Sequence, residues 1–311
     1  MIPVIPKREE LLDRAFGRAS RRVSGRRFRG SNVEKAIEKE VMRIDIAGNI
    51  LSDSLFSIMT KTFSFEELEP FYQELVSLLI DVRRFKESLK RMKWAAGKIL
   101  ELKKEYISKV KGSRTTDQAR EQRVIFYGRL NSILKDIEDE MNYLRECRRA
   151  LKKLPKVKKM DTVVIAGCPN VGKSSLLAAL TGSKPEIQSY PFTTKGILLG
   201  YRDDIQFVDT PGLLDRPFEK RNPIEKQAVS AVKHLADLIL YVYDTSETCG
   251  YTLEEQEHLH HQIEKLGVPI IPVENKSDLS GKSLGFLRIS CKSGEGVEEL
   301  FHEIKKRLYS V

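Results

Sequence analysis

The segment GCPNVGKSS at residues 167–175 decides the fold of the second half of this 311-residue chain. Gly167, Gly172, Lys173 and Ser174 match the pattern G-x-x-x-x-G-K-[ST], directly after the strand-like TVVIAG and before the helix-like SSLLAALTG. Glycines let the backbone wrap closely around phosphate oxygens, and the N–H groups of such a loop point at the anion. We therefore expect a P-loop in which Lys173 reaches the β- and γ-phosphates and the Ser174 hydroxyl binds Mg²⁺.

Two segments that follow the P-loop are typical of a nucleotide-dependent switch. DTPG ends the strand-like IQFVDT, which places Asp209 near the metal through water and points the Gly212 N–H toward the γ-phosphate. YPFTTKGI comes before it, and Thr193 or Thr194 can complete the Mg²⁺ coordination only while the γ-phosphate is present. The sequence therefore predicts a segment whose conformation responds to the γ-phosphate.

A third pair of segments predicts which base is bound. NKSD, from Asn275 to Asp278, ends the strand-like PIIPVEN, and an Asp278 carboxylate there can accept two hydrogen bonds from guanine N1–H and N2–H₂. Adenine lacks that donor pair, so it would leave the carboxylate unpaired at a cost of several kcal/mol. SCKSG at residues 290–294 can direct backbone N–H groups to guanine O6, and Cys291 there is close in size to the usual alanine. We therefore expect GTP and GDP as ligands.

These motifs define a candidate site with separate roles for its members. The group expected to act on the γ-phosphate comprises Lys173, Thr194 and Gly212, and the expected Mg²⁺ ligands are Ser174, Thr194 and Asp209. The full set expected to contact the nucleotide and its ion is Gly167, Pro169, Asn170, Val171, Gly172, Lys173, Ser174, Ser175, Phe192, Thr193, Thr194, Asp209, Gly212, Asn275, Lys276, Asp278, Ser290, Cys291 and Lys292.

The sequence is less complete for hydrolysis than for binding. Many GTPases place a glutamine after the glycine of DTPG to orient the attacking water, but this chain has Leu213, which cannot hydrogen-bond to water. We expect slow turnover by the chain alone, on the order of 10⁻⁴ s⁻¹ or below. Asn170 is either a ligand for K⁺ beside the phosphates or a residue that bonds only within the loop. Arg216 and Arg221 are either catalytic arginine fingers or solvated charges.

The pattern of apolar residues changes along the chain and predicts two domains. From residue 161 onward, β-branched runs alternate with helical stretches, which predicts a doubly wound, mostly parallel α/β GTPase domain over 161–311. Residues 31–155 show long amphipathic helical patterns, with capping-box spacings at Ser31 and Ser64, and predict an antiparallel helical bundle. Residues 156–160 are the expected linker.

Charge distinguishes the two halves. Residues 1–160 hold 37 Lys and Arg against 23 Asp and Glu, a balance of +14, whereas residues 161–311 hold 17 against 21, a balance of −4. Nine of the basic residues fall between Lys7 and Arg29, where we expect a basic arm over 1–30 with at most a short helix at 9–20. An arginine-rich arm suits RNA phosphates and unpaired bases, although a charge run can also be only a solvated tail.

The remaining composition favours a cytoplasmic protein that does not enter membranes. No apolar run approaches the roughly 18 residues of a spanning helix, and the N-terminus has no apolar core of secretory type. The four cysteines, Cys147, Cys168, Cys249 and Cys291, are scattered without metal-ligand spacing. We expect reduced cysteines and a monomer when the protein is off its partner.

These motifs resemble the Obg-like GTPases and, within them, the nucleolar GTP-binding protein family and its archaeal counterparts. The stretches that carry the resemblance are GCPNVGKSSLL, KPEIQSYPFTTKGI, VDTPGLLDRP and RNPIEKQAV, and it extends over essentially the whole chain. The long C-terminal extension usual in eukaryotic members is missing, so the resemblance is to a compact, archaeal-type member. It implies a GTPase that assists assembly of the large ribosomal subunit, with that subunit and its rRNA as partners.

Two other functions agree with the same residues. The chain could be a GTP-gated binding module with negligible turnover, as Leu213 suggests, or a GTPase of translation or tRNA processing.

Overall fold

The computed structural model describes residues 2–190, 196–216, 219, 221, 223–279 and 281–309. The chain divides into two compact units, which we call the helical unit (residues 1–67 and 80–152) and the α/β unit (residues 68–79 and 153–311). The helices of the first half of the chain are α1 (Arg8–Ser24), α2 (Asn32–Lys61), α3 (Pro70–Leu79), α4 (Val82–Lys111), α5 (Thr116–Asp136) and α6 (Glu138–Leu151).

The starts of α2 and α3 show how far a capping pattern predicts a helix. Ser31 caps α2 as expected: its hydroxyl accepts from Glu34 N at 3.2 Å, while the Glu34 carboxylate accepts from Ser31 N at 2.7 Å. Ser64 caps no helix, because its hydroxyl donates to the Glu66 carboxylate at 2.9 Å and α3 begins only at Pro70. Proline suits a first helical turn, since its missing N–H would have no partner there.

The predicted basic arm over residues 1–30 is corrected by helix α1, which packs against α2 within the helical unit. One face of α1 is buried at four-residue steps, by Leu11, Ala15, Ala19 and Val23. Two of these residues are alanines, whose small side chains let helices approach closely but contribute little to an apolar pattern. The arginines between them therefore lie on the exposed face of a fixed helix.

The residues that precede α1 are also held in place. Ile2 and Ile5 are buried, and Arg145 of α6 donates to the Pro6 carbonyl at 2.8 Å. Each backbone group paired in this way fixes chain that would otherwise be a free terminus. The N-terminal segment is therefore part of the helical unit.

The α/β unit confirms the predicted fold class. Its seven strands have the order β2-β3-β4-β1-β5-β6-β7, in which only β2 with β3 and β3 with β4 pair antiparallel. The strands are β1 (Asp161–Ala166), β2 (Glu186–Gln188), β3 (Ile197–Arg202), β4 (Ile205–Asp209), β5 (Leu238–Asp244), β6 (Ile270–Asn275) and β7 (Leu287–Arg288). The helices are α7 (Lys173–Thr181), α8 (Pro223–Lys233), α9 (Leu253–Glu264) and α10 (Val297–Tyr309). Ligands of such sheets bind at the carboxyl ends of the parallel strands.

Helix α3 belongs to the α/β unit, although the sequence predicts it within the bundle at 31–155. It packs against α8, and its Phe71 and Leu75 lie in the core of the α/β unit. The Tyr72 hydroxyl donates to the Pro155 carbonyl at 3.1 Å and accepts from Val157 N at 3.0 Å. An amphipathic pattern shows that a helix has a buried face but does not show which core buries it.

Candidate nucleotide-binding site

The loop between β1 and α7 has backbone angles that require glycine at two positions. Gly167 has φ +137° and Gly172 has φ +101°, both in the range that side chains rarely allow. A Cβ on Gly172 would overlap the Asn275 side-chain amide, and a Cβ on Gly167 would overlap the Val242 carbonyl. Asn170 also has positive φ, at +63°. The loop therefore has the tight, left-handed turns that expose successive N–H groups to an anion.

Lys173, the first residue of α7, closes this loop. Its amine is buried and donates to the carbonyls of Gly167 and Cys168, both at 2.8 Å. Burial lowers the pKa of Lys173, while the nearby Asp209 carboxylate opposes that shift. The arrangement keeps a cation inside the loop, where it can exchange carbonyl oxygens for phosphate oxygens.

Two of the three expected magnesium ligands lie together. The Ser174 hydroxyl donates to Asp209 Oδ2 at 2.6 Å. Asp209 is completely buried, and its second oxygen has no hydrogen-bond partner among the residues that the structure describes. Burial raises the pKa of Asp209, and the bond from Ser174 opposes this. A buried carboxylate oxygen without a partner, next to a hydroxyl, fits a hard cation such as Mg²⁺. The third expected ligand, Thr194, lies outside the described residues, as do Thr193 and Phe192.

The guanine motif is joined to the phosphate loop by Asn275. Its side-chain amide donates to the Val171 carbonyl at 2.8 Å, and its oxygen accepts from Cys291 N at 3.2 Å. One residue at the end of β6 therefore ties the P-loop to the last loop of the expected site. Ser290 orients the neighbouring carboxylate, because its hydroxyl donates to Asp278 at 2.8 Å. This is the group that we expect to read the base.

The other expected contacts lie beside these anchors. Pro169 precedes Asn170 in the P-loop, Ser175 is exposed on the first turn of α7, and Lys292 is exposed next to Cys291. The Gly212 N–H donates to the Asp215 carboxylate at 2.8 Å. Asp215 therefore holds the donor that we expect to face the γ-phosphate.

Both halves of the chain match known families. Residues 1–158 match the family described as the NOG1 N-terminal helical domain, and residues 162–276 match the family described as 50S ribosome-binding GTPase. The chain belongs to the NOG1 family of GTP-binding proteins. It is 44% identical over 280 residues to Uncharacterized protein MJ1408 of Methanocaldococcus jannaschii, covering 89% of this chain and 80% of that protein.

The eukaryotic relatives in the NOG1 family are longer than this chain. Nucleolar GTP-binding protein 1 of Encephalitozoon cuniculi is 32% identical over 91% of this chain, and the match covers 54% of that protein. The protein of the same name from Arabidopsis thaliana is 31% identical over 98% of this chain, and the match covers 46% of that protein. The chain thus spans about half the length of these relatives. Among the described residues, no helix is both long and apolar enough to cross a membrane.

Sequence reasoning missed Asp244 in this NOG1-family site. It ends β5 completely buried, and Lys276 of the guanine motif donates to it at 2.6 Å. Burial opposes ionisation, but the bonds from Lys276 and Ser246 hold the pKa of Asp244 below its usual value. The signal was present, since Asp244 follows an apolar strand LILYVY just as Asp209 follows IQFV.

The structure also assigns a role to Arg221 that the sequence did not predict. Arg221 is buried at 5% exposure and donates to the carbonyls of Leu213 and Arg216, so it is not a solvated charge. Burial lowers its pKa to about 10. Arg216 pairs with Glu225 at 2.7 Å. Both arginines therefore hold the segment after DTPG, and the Leu213 side chain is buried at 1% exposure.

Proposed function

We propose that this NOG1-family chain binds and hydrolyses GTP and uses the nucleotide to control its binding to the large ribosomal subunit during assembly. The observation that carries the proposal is the double bond pattern of Asn275, which connects the P-loop at Val171 with the guanine loop at Cys291. A nucleotide bound at one loop is therefore positioned for the other. The names of the matched families and relatives support the ribosomal partner.

In this proposal the phosphate end of GTP is held by the backbone and by two side chains. The N–H groups of residues 167–175 surround the phosphates, and Lys173 exchanges its two carbonyl partners for β- and γ-phosphate oxygens. Ser174 and Asp209 hold Mg²⁺, with Thr194 or Thr193 added while the γ-phosphate is present. Bound Mg²⁺ would neutralise charge on the phosphates.

The rate of hydrolysis should be low without a partner. Leu213 is apolar and buried, so it orients no water molecule, and Arg221 is engaged with backbone carbonyls. Turnover on the order of 10⁻⁴ s⁻¹ or below is therefore expected, with the missing group supplied by the ribosomal partner. Asn170 is the candidate ligand for K⁺. Equal turnover in K⁺ and Na⁺ at the same ionic strength would remove that assignment.

The exposed face of α1 is the proposed contact with rRNA. Three arginines of α1 and two isoleucines of α2 line a surface groove of about 450 Å³: Arg18, Arg21, Arg22, Ile46 and Ile50. The three arginine side chains have no hydrogen-bond or ion-pair partner in the described part of the chain. Guanidinium groups on a fixed helix can bind phosphates bidentately with little further ordering. The protein is proposed to be cytoplasmic and monomeric when it is off the subunit.

One experiment tests the ribosomal part of the proposal. GTP turnover is measured with and without purified large subunits, and the RNA crosslinked to the protein in cells is sequenced. We expect subunits to accelerate turnover and large-subunit rRNA to dominate the recovered RNA. Recovery of tRNA instead would contradict the proposal and favour a role in tRNA processing.

A second candidate function is favoured by the buried Leu213. If subunits bind more tightly in the presence of GTP but leave turnover unchanged, the chain is a GTP-gated binding module and not an active hydrolase.

A further inference from the structure

A second groove in the helical unit lies between α4 and the first turn of α6. It has a volume of about 650 Å³ and differs from the α1 groove in containing both charge signs and an indole ring. The residues that matter for its chemistry are Arg84, Ser88, Lys90, Arg91, Trp94 and Asp139. Pockets of this size suit a drug-sized or nucleotide-sized ligand.

Trp94 is the only tryptophan in the chain, and 44% of it is exposed. The Arg91 guanidinium carbon lies 4.7 Å from the centre of the indole ring. Arg91 is itself fixed, because Asp136 accepts from it at 3.0 Å and Glu140 lies at 3.5 Å. A large aromatic ring exposed to water in a fixed position loses the free energy of burial until a flat partner covers it.

Three polar groups of the groove have no hydrogen-bond partner among the described residues. They are the Lys90 amine, the Asp139 carboxylate and the Ser88 hydroxyl. Ser88 is only 1% exposed, yet its hydroxyl does not bond to the preceding helical turn as that of Ser77 does to the Gln73 carbonyl. A buried hydroxyl without a partner is unfavourable by about 1–3 kcal/mol, so its place at the edge of a cavity indicates a ligand atom.

The neighbouring charges are already satisfied. Glu87 accepts from Arg83 at 3.1 Å, and Arg84 lies over the ring of Tyr143, with its guanidinium carbon 4.1 Å from the ring centre. The groups left open to a ligand are therefore one aromatic face, one cation, one carboxylate and one hydroxyl.

We propose that this groove binds one unpaired nucleotide of RNA, with the base stacked on Trp94, its phosphate at Lys90 and its hydrogen-bonding edge at Asp139 and Ser88. The inference rests on the proposed binding of rRNA, but it concerns a different surface from α1. Unpaired RNA bases are recognised by stacking on aromatic rings and by bonds to their edges. A carboxylate selects bases with donors, and guanine offers two adjacent donors, so guanine should bind best.

The charge of the chain favours RNA over an acidic peptide or a basic one. The first 160 residues carry an excess of 14 positive charges, which attracts a polyanion and repels a basic peptide. An acidic peptide could satisfy Lys90, but it would face the unpaired Asp139 carboxylate. A nucleotide places its phosphate and its base donors at opposite ends and can satisfy both groups.

Because Trp94 is the only tryptophan, its fluorescence reports on this groove alone. The full-length protein is titrated with two RNA hairpins that have the same stem, one perfectly paired and one with a single bulged nucleotide. Labelled-RNA anisotropy measures total binding in parallel. We expect saturable quenching of Trp94 only by the bulged hairpin, with the strongest effect when the bulged base is guanine.

Variants separate stacking from edge recognition. Trp94→Ala should weaken binding of the bulged hairpin roughly tenfold and leave the paired hairpin unchanged, with Trp94→Phe in between. Asp139→Asn should remove the preference for guanine. Glu87→Gln is the matched control, since this carboxylate already pairs with Arg83 and its loss should not alter base preference.

The outcomes distinguish this inference from the proposed function. If the protein binds rRNA but both hairpins quench Trp94 equally, or if Trp94→Ala binds the bulged hairpin normally, the groove is not a nucleotide site while the proposed function stands. Quenching by a peptide but not by the bulged hairpin would also overturn the inference. If the protein binds no RNA at any salt concentration, the proposed binding of rRNA fails with it.

Discussion

The α/β unit and the helical unit prepare for their ligands in opposite ways. In the α/β unit the candidate site is closed by internal bonds, such as those of Lys173 to two carbonyls and of Asn275 to Val171. In the helical unit the candidate contacts are side chains without partners, on α1 and around Trp94. A small ligand enclosed by backbone needs exact loop geometry, whereas a large polyanion needs charges and rings that are left open. Substitutions should therefore act through backbone strain in one unit and through lost contacts in the other.

The largest expected effect is on a glycine in the α/β unit. Gly172→Ala places a Cβ at φ +101° and against the Asn275 amide, so it should weaken GTP binding by roughly 100-fold or more. Isothermal titration calorimetry measures the affinity. Gly97→Ala in the middle of α4 is the control, because its Cβ would meet nothing within 4 Å. It should leave GTP binding unchanged and raise the free energy of unfolding by about 1 kcal/mol. Equal effects of the two substitutions would contradict the comparison.

The next effect concerns the choice of base. Asp278→Asn places an amide donor toward the 2-amino group of guanine, but the same donor suits the 2-oxo group of xanthine. Preference should therefore shift by roughly 10- to 100-fold from GTP to xanthosine triphosphate. Competition binding between the two nucleotides measures it. Ser290→Ala is a milder variant, because it removes only the bond that orients Asp278. An unchanged preference for GTP would remove Asp278 from its role.

A smaller effect is expected from the open arginines of the helical unit. Arg18→Gln combined with Arg22→Gln should weaken rRNA binding roughly tenfold and reduce the slope of log K against log salt by about one unit per lost phosphate contact. GTP affinity should not change. Arg83→Gln removes the same kind of charge from an exposed ion pair and serves as the control. Deletion of residues 1–30 is a poor substitute, since Leu11 and its neighbours are core residues. Identical salt series for the wild type and the double variant would exclude α1 as the contact.

The smallest expected effect is on stability and depends on pH. Lys276→Gln removes the cation from the buried Asp244, so the free energy of unfolding at pH 7 should fall by about 1–3 kcal/mol. Asp244 has a lowered pKa in the folded chain, so its contribution is present above the ordinary value of 3.8 and is lost as pH falls through the folded pKa. The difference between the variant and the wild type should shrink below about pH 4. Urea unfolding at several pH values measures it, and a difference that grows toward low pH would contradict the role of the pair.

Much of the α/β unit could be predicted because its requirements are local. Glycine at positions 167 and 172 is needed for positive φ, and a polar residue after an apolar strand marks the carboxyl edge of the sheet. The same rule applied to LILYVYD would have identified Asp244 as well. Arg221 could not be found in this way, since only its burial against the carbonyls of Leu213 and Arg216 distinguishes it from a solvated arginine.

The sequence by itself determined the two kinds of unit, the P-loop and the guanine motif, because backbone angles and strand periodicity depend on neighbouring residues. Only the tertiary structure decided that α1 is a packed helix, that α3 joins the α/β unit and that Ser88 is left without a partner beside Trp94. The physical reason is that helix formation depends on local propensity, whereas the burial of a helix face depends on which apolar surface it meets. An amphipathic pattern is the same for either surface, so the choice between them is made by packing between residues far apart in the chain.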